Sequence, residues 1–366
     1  MALKIRPYED GLWSGLRQFL HEHWQANHPL CNRELFYWQY RGFGPHAGCH
    51  NCRVALDGDR IVGFLGAIPG MYRAAAREVP GVALALWVVA REYRNSGLGI
   101  LLMREAQKQG EVVVCLGVAP SVVRYYRATG YKFLPALHRY VVPLDCNAYC
   151  GLLDKPADRK AIGKWVRSVE DGFMQPAGPS AVDSRGLADL WYAGADRWHI
   201  ALSRTHEFWT WRYAKAVGFE YVQFGDVTQG AVIARLDRVS STDMPSLDGR
   251  CVLRLIEIVP AASDPDAIVA VVRKALAWGR ARDAIAADFQ CSSDRLGSVL
   301  EQAGLRLRTD DDMLTQLPEL FNPLRYNVPP INVVVKSNAW TGSDFNSTYL
   351  VKSDGDMDRP VRWPES

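Results

Sequence analysis

The densest chemistry in the chain lies in Arg94-Asn95-Ser96-Gly97-Leu98-Gly99. A run of strand-forming residues, 82–89, leads into it, and a segment of helical spacing, 100–108, leads out. Such a loop offers backbone N–H groups at a helix N-terminus, where the helix dipole favours an anion. Its glycines let a bulky phosphate approach without a Cβ in the way. A dinucleotide-binding loop would read G-x-G-x-x-G; here an arginine comes first and only two glycines follow. A second apolar strand, 112–118, comes next. Then Val122-Val123-Arg124-Tyr125-Tyr126-Arg127-Ala128-Thr129-Gly130-Tyr131 reads as a helix closed by a glycine.

The order strand, R-x-x-G-x-G, helix, strand, Y-x-x-x-G-[FY] resembles the two signatures of the GCN5-related N-acetyltransferase (GNAT) superfamily. The resemblance implies an α/β (α+β) fold, a mixed twisted sheet flanked by helices. It implies acyl-CoA as co-substrate, either acetyl-CoA or a short hydroxyacyl-CoA, with its pyrophosphate on Arg94, Asn95, Ser96, Gly97, Leu98 and Gly99. The thioester carbonyl would meet a backbone N–H of Trp87, Val88 or Val89. Tyr126 falls at the family's general-acid position, where a phenol can protonate the leaving thiolate; the alternative is packing against the pantetheine arm. One position departs from the pattern: Ala119 stands where the family usually has an Asn tied to the pantetheine. His28 is a candidate base for the incoming amine, against a purely structural hydrogen bond; Glu34 is a lesser one.

These residues need positioning elements. A short strand at 3–6, a helix at 11–26 and an aromatic helix at 34–41 precede a hairpin turned by Asp57-Gly58-Asp59. Residues 137–143 would close the first sheet. The second half repeats the plan weakly. Glu207-Phe208-Trp209-Thr210-Trp211-Arg212-Tyr213 echoes Glu34-Leu35-Phe36-Tyr37-Trp38-Gln39-Tyr40, and a hairpin, strand, helix, strand and glycine-closed helix follow. The echo predicts tandem GNAT folds. The second copy's loop reads Ala261-Ala262-Ser263-Asp264-Pro265-Asp266, without glycines and with carboxylates that would repel a pyrophosphate. One CoA site is therefore expected, in the first copy. The boundaries read 1–150 for the GNAT domain, 151–184 for a linker, 185–325 for the degenerate copy and 326–366 for a tail packing on the body.

Composition sets the remaining limits. The chain has 366 residues, 48% hydrophobic and 23% charged, with a net charge of +3. That balance argues against nucleic acid or an anionic membrane as partner. No apolar run reaches a membrane span and no signal core opens the chain, so a cytoplasmic monomer or homodimer is expected. The eight cysteines are spread thinly, as reduced thiols would be. His46, Cys49, His50 and Cys52 make zinc conceivable, but no second ligand pair is near, and no metal is expected.

The acceptor is read from architecture and short motifs, W-x-x-x-H-P-L, ELFYWQY and the tail S-D-G-D-M-D-R-P. These are similar to bacterial double-GNAT enzymes that acylate nucleotide-linked deoxyamino sugars for surface polysaccharide such as O-antigen. His28, Glu34, Trp38, Trp87, Trp209, Asp354 and Asp356 are the expected acceptor residues, in a cleft built by both copies and the tail. The aromatics could instead be core, and the acidic residues a solvated tail. Alternatives are acylation of another small amine, aminoacyl transfer in cell-wall synthesis, and a non-catalytic GNAT-fold binding protein.

Overall fold

The computed structural model describes residues 3–48, 50–173, 178–340 and 344–361. The first sheet begins with β1 (Lys4–Pro7), β2 (Arg53–Asp57), β3 (Arg60–Ala74), β4 (Arg77–Val89) and β5 (Val112–Leu116). Gly58, at a positive φ of 61°, makes the turn from β2 to β3. β2, β3 and β4 pair antiparallel, while β4 and β5 are parallel, joined by helix α3 (Leu98–Gln107). α1 (Trp13–His23) and α2 (Arg33–Tyr40) supply further cover. Leu98, Leu102, Met103 and Ala106 recur at helical spacing and are buried. Each buried Leu or Met there contributes about 1.5–3 kcal/mol. Gly63 of β3 makes room for α3: a Cβ there would lie 2.8 Å from Leu102 Cδ1.

The second sheet has the order β13 (Arg306–Leu307), β7 (His138–Pro143), β12 (Ala284–Cys291), β11 (Cys251–Val259), β10 (Gly230–Arg238), β9 (Val222–Asp226). Its β9–β10 hairpin, β11, helix α9 (Ile268–Arg280) and parallel β12 follow the same order as β2 to β5. Val271, Val272, Ala275 and Leu276 of α9 are buried in its core.

Two strands change places relative to the sequence expectation. Residues 137–143 were expected to close the first sheet, but β7 pairs with β12 and β13 in the second. Its partner in exchange is β16 (Val333–Ser337), which enters the first sheet between β5 and β6 (Lys132–Leu134). The sheets are thus bound by crossing chain in both directions. The expected linker also carries a helix, α6 (Arg159–Glu170), with Ile162, Trp165, Val166 and Val169 buried; Pro176 lies outside the described residues. The tail packs on the body: Trp340, Tyr349, Leu350 and Val351 are buried.

The two echoed aromatic segments meet face to face. Trp38 Nε1 donates to the Trp211 carbonyl at 3.0 Å, and Trp211 Nε1 donates to the Trp38 carbonyl at 2.7 Å. Their rings stack with centroids 5.5 Å apart. These two tryptophans correspond position for position in the echo, so the contact is reciprocal. No helix among the described residues is long and apolar enough to cross a membrane.

Candidate active site

The site begins where β4 and β5 part. They pair from Gly81 with Val112 to Leu84 with Cys115 and no further. Leu86 then adopts a positive φ of 44°, and the β3–β4 register shifts beside it. A bulge of this kind re-aims a strand. Ala90 N donates to Val62 O at 2.9 Å, so the pairs Gly63–Val89 and Leu65–Trp87 are the non-hydrogen-bonded ones. Trp87 and Val89 therefore turn their N–H groups away from β3, into the gap. Val88 faces β3, which removes it from the three expected donors.

At the mouth of the gap lies the 94–99 loop. Asn95 and Gly97 have positive φ, 68° and 83°, and a Cβ on Gly97 would meet nothing within 4 Å. Ser96 Oγ accepts from Leu98 N at 3.3 Å. The N–H groups of Gly99 and Ile100 lie in the first turn of α3 and have no acceptor within the helix. Arg94 Nε reaches Val89 O at 3.3 Å, fixing the arginine across the strand end. A Cβ on Gly99 would stand 2.7 Å from Trp87 Cζ2, so the indole lies on the start of α3. Trp87 Nε1 is buried without a hydrogen-bond partner among the described residues. The open, glycine-lined, N–H-rich loop above a parted strand pair fits an acyl-CoA pyrophosphate and arm.

Tyr126 stands opposite, on α4 (Pro120–Ala128), which Pro120 opens and Gly130, at φ 89°, closes. Its ring is edge-on to Trp87 at 6.0 Å and to Tyr131 at 4.9 Å. The hydroxyl meets the Cys115 thiol, and burial holds the phenol well above its ordinary range, hence protonated. Burial, with Asp356 adding, pushes the Cys115 thiol up to about 12.

Two residues here, Asn332 and Lys336, were not foreseen. Asn332 Oδ1 accepts from Val118 N at 2.8 Å, and its Nδ2 donates to Val118 O at 2.9 Å. This clasp fixes the chain just after β5, next to Ala119. Lys336 Nζ donates to Thr129 O at 3.0 Å, at the end of α4. The tail then crosses the same strand end. Met357 packs over Gly117, where a Cβ would come within 2.5 Å of its sulfur, and Gly355 lies against Leu116. Asp356, between them, is buried; burial raises its carboxyl, opposed chiefly by Arg359, at 3.7 Å. The one local sign of this in the sequence was the aromatic and acidic composition of the tail.

His28 takes a different part from the one expected. Its Nδ1 accepts from Leu30 N at 3.2 Å, so its proton is on Nε2. Burial, then the Arg359 charge, lowers it to about 3. A ring whose acceptor nitrogen is already engaged is a cap and a donor, not a base. Glu34 is exposed on the first turn of α2. Trp38 is committed to Trp211, and Trp209 is fully buried in the core, so neither offers a stacking face. Asp354 is buried against Arg204 at 2.8 Å and is not a free ligand. Asp358 is buried with Arg235, and Tyr221 Oη donates to it at 2.7 Å. Of the conceivable zinc residues, Cys49 lies outside the described residues, Cys52 is buried, and His50 Nε2 is 2.7 Å from Asp10.

Beside the gap is a cavity of about 900 Å³. Glu34 contributes to it from the first half, Phe219, Arg235 and Arg254 from the second, and Lys352, Met357 and Arg359 from the tail. Met357 is its common wall with the gap. The volume suits a small-molecule ligand.

Residues 13–131 match the acetyltransferase (GNAT) family. This segment contains the loop, the parted strands and Tyr126. No curated protein matches the chain. Among solved structures, a GCN5-related N-acetyltransferase from Anabaena variabilis is 16% identical with a TM-score of 0.55, covering 91% of this chain and 72% of that one. Another, from Kribbella flavida, is 15% identical with a TM-score of 0.53, covering 91% and 70%. The Saccharomyces cerevisiae N-myristoyltransferase with bound myristoyl-CoA is 11% identical with a TM-score of 0.52, covering 92% and 83%. At these identities the likeness is one of fold.

Proposed function

We propose that this chain is an acyl-CoA-dependent N-acyltransferase acting on the amino group of a nucleotide-linked deoxyamino sugar. The observation that carries the transfer reaction is the parted β4–β5 pair, with the N–H groups of Trp87 and Val89 aimed into the gap and a buried phenol across it. The GNAT match over residues 13–131 agrees with that chemistry. The two halves are a tandem duplication in this reading, supported by the shared strand order and the reciprocal Trp38–Trp211 contact. In the second half, Asp264 Oδ1 accepts from Ala267 N at 3.3 Å, placing a carboxylate where a pyrophosphate would need donors. That half walls the acceptor cavity instead.

The residues divide the work as follows. Asn95 to Ile100 hold the pyrophosphate, and Trp87 lines the arm. The acceptor nitrogen attacks the thioester carbon, and a C–N bond forms. Trp87 or Val89 N–H receives the charge that develops on oxygen. The C–S bond breaks, and Tyr126 delivers its proton to sulfur. Asp356, a buried carboxylate with a raised affinity for protons, takes the proton that the nitrogen sheds. His28 holds the turn before α2 through its cap on Leu30.

The full-length protein should be incubated with acetyl-CoA and longer acyl-CoAs against a panel of nucleotide-linked amino sugars, following thiol release and product mass. Acylation of an amino sugar is the expected result. Turnover confined to simple amines would overturn the sugar assignment. Calorimetry should give one CoA per chain; two would overturn the assignment of the second half.

A further inference from the structure

Behind the cavity runs a continuous chain of ion pairs. Arg308 meets Glu319 at 3.2 Å, and Glu319 meets Arg139 at 3.1 Å. Arg139 meets Asp288 at 2.7 Å, and Asp288 meets Arg254 at 2.9 Å. Arg254 reaches Asp237 at 3.9 Å, which holds Arg235 at 2.8 Å. Arg235 pairs with Asp358, and Asp358 faces Arg212 at 3.8 Å. Arginines and carboxylates alternate, and an arginine stands at each end, so the chain holds one more cation than anions.

Lys352 adds another. It lines the cavity from the tail and has neither a hydrogen bond nor an ion pair among the described residues. Asp288 and Asp358 are the carboxylates nearest in effect, but neither is paired with it, and Arg254 and Arg235 repel it. Half-buried amines without a counter-ion are uncommon, because burying an unpaired charge is costly. Arg235 lies over the Phe219 ring at 3.8 Å and Arg254 over Phe321 at 5.1 Å, so aromatic faces and guanidinium planes fix the walls around the amine. On the rim, Glu34, Glu220 and Arg238 are exposed, and Arg359 pairs with the buried Asp356 beneath it.

We infer that Lys352 is the anchor for the diphosphate of the acceptor, with the arginine-terminated chain supplying the surplus positive field. This rests on the nucleotide-linked acceptor proposed above. An unpaired amine on the wall, with a chain of ion pairs behind it that holds one more arginine than carboxylates, is what a diphosphate would complete. Met357 borders both this cavity and the gap, so a ligand held at Lys352 lies one side chain from the strand end that faces Trp87 and Tyr126.

The test uses the full chain with CoA saturating the 94–99 loop, so that a second anion reads only the cavity. Uridine diphosphate is titrated by calorimetry, with uridine as the neutral control. Lys352→Met should weaken uridine diphosphate by about tenfold or more, leaving CoA affinity unchanged. Lys352→Arg should keep most of the binding. Burial, then Arg254, lowers the Lys352 ammonium to about 8, partly offset by Asp288 and Asp358. Wild-type affinity should therefore fall as pH rises through that value, and Lys352→Met should lose this fall. Equal binding by wild type and Lys352→Met, or a Lys352→Arg protein as weak as Lys352→Met, would overturn the inference. If CoA binds, an uncharged amine is acylated and uridine diphosphate does not bind, the anchor is wrong while the acyltransferase reading stands. If CoA itself fails to bind, that reading fails first.

Discussion

Asn332→Ala is the substitution on which the geometry speaks most directly. The side chain closes two hydrogen bonds on Val118, one to N at 2.8 Å and one from Nδ2 to O at 2.9 Å. Both sites are buried, so water does not replace the lost partner. A buried group left unsatisfied costs about 1–3 kcal/mol, and the two together roughly 2–6 kcal/mol. For a chain of 366 residues, with an unfolding entropy of about 0.8 kcal/mol/K, that corresponds to a fall in Tm of about 3–8 °C. The effect should extend to activity, because Val118 follows directly on β5, the strand that forms one wall of the gap. A wall displaced by about 1 Å can reduce transfer by as much as about 100-fold, so kcat/KM for acyl-CoA should fall by about 10- to 100-fold. Asn332→Asp separates clasp from bulk. It can still accept from Val118 N, but it cannot donate to Val118 O and sets a carboxylate against it. It should therefore be no milder than Ala. Differential scanning calorimetry and initial rates on both variants decide the matter. A wild-type Tm and wild-type kcat/KM in Asn332→Ala, or a fully tolerated Asp, would refute the clasp.

Tyr126→Phe should lower turnover by about 10²–10⁴-fold with CoA affinity nearly intact; unchanged turnover with chemistry rate-limiting would leave the phenol a packing role alone. Gly97→Asp should abolish CoA binding in calorimetry, whereas Gly97→Ala, which meets open space but a strained φ of 83°, should only weaken it; undiminished affinity in the Asp variant would exclude a phosphate at this loop. Residues 1–150 expressed alone should fail to give a cooperative thermal transition, because β16 is missing between β5 and β6 and β7 has no sheet to join; a cooperatively folded, active fragment would contradict this. His28 stays neutral in the fold down to about 3 but takes a proton near 6.5 when unfolded. The unfolded state then binds the extra proton, so this group's contribution to stability falls as pH drops below about 6.5, by about 1.4 kcal/mol per unit. His28→Asn, which keeps an acceptor for Leu30 N, should flatten the denaturant midpoint against pH between about 4 and 6.5; an unaltered slope would count against the buried neutral ring.

The parts of the fold that the sequence discloses are those encoded within about ten residues. Asp57-Gly58-Asp59 turns a hairpin because Gly58 can take a positive φ. The glycines at 97 and 130 open and close helices for the same reason. The 207–213 echo of 34–40 becomes a physical contact through Trp38 and Trp211. Sheet membership is another matter. His138–Pro143 and Val333–Ser337 are both short apolar runs, and nothing in either says which sheet it joins. Adjacency in sequence favours the nearer sheet for the first, and the longer-range pairing wins because β12 and β13 offer it two partners. The bulge at Leu86 is illegible for a different reason: a leucine at positive φ has no local preference for that conformation, and only the surrounding sheet imposes it.

The acidic tail shows what a closer reading of charge could have found. Asp354, Asp356 and Asp358, in a glycine-rich stretch, read naturally as solvated, or as ligands for hydroxyls. Yet Arg204, Arg235 and Arg254 each border or interrupt an apolar strand run, Ile-Ala-Leu-Ser-Arg, Ala-Val-Ile-Ala-Arg and Val-Leu-Arg-Leu-Ile. An arginine in such a run must be buried or nearly so, and a buried guanidinium requires a carboxylate. Asp237 and Asp288 satisfy part of that demand from neighbouring strands. Arg204 and Arg235 turn to the tail for Asp354 and Asp358. Two of the three tail aspartates are thereby used up as structure. Asp356 is held more loosely, by Arg359 at 3.7 Å, beside Cys115 and the gap. The same ion pairs that fasten the tail leave its one less committed carboxylate near the Cys115 thiol, and Lys352, four residues earlier, lining the cavity without an ion pair among the described residues.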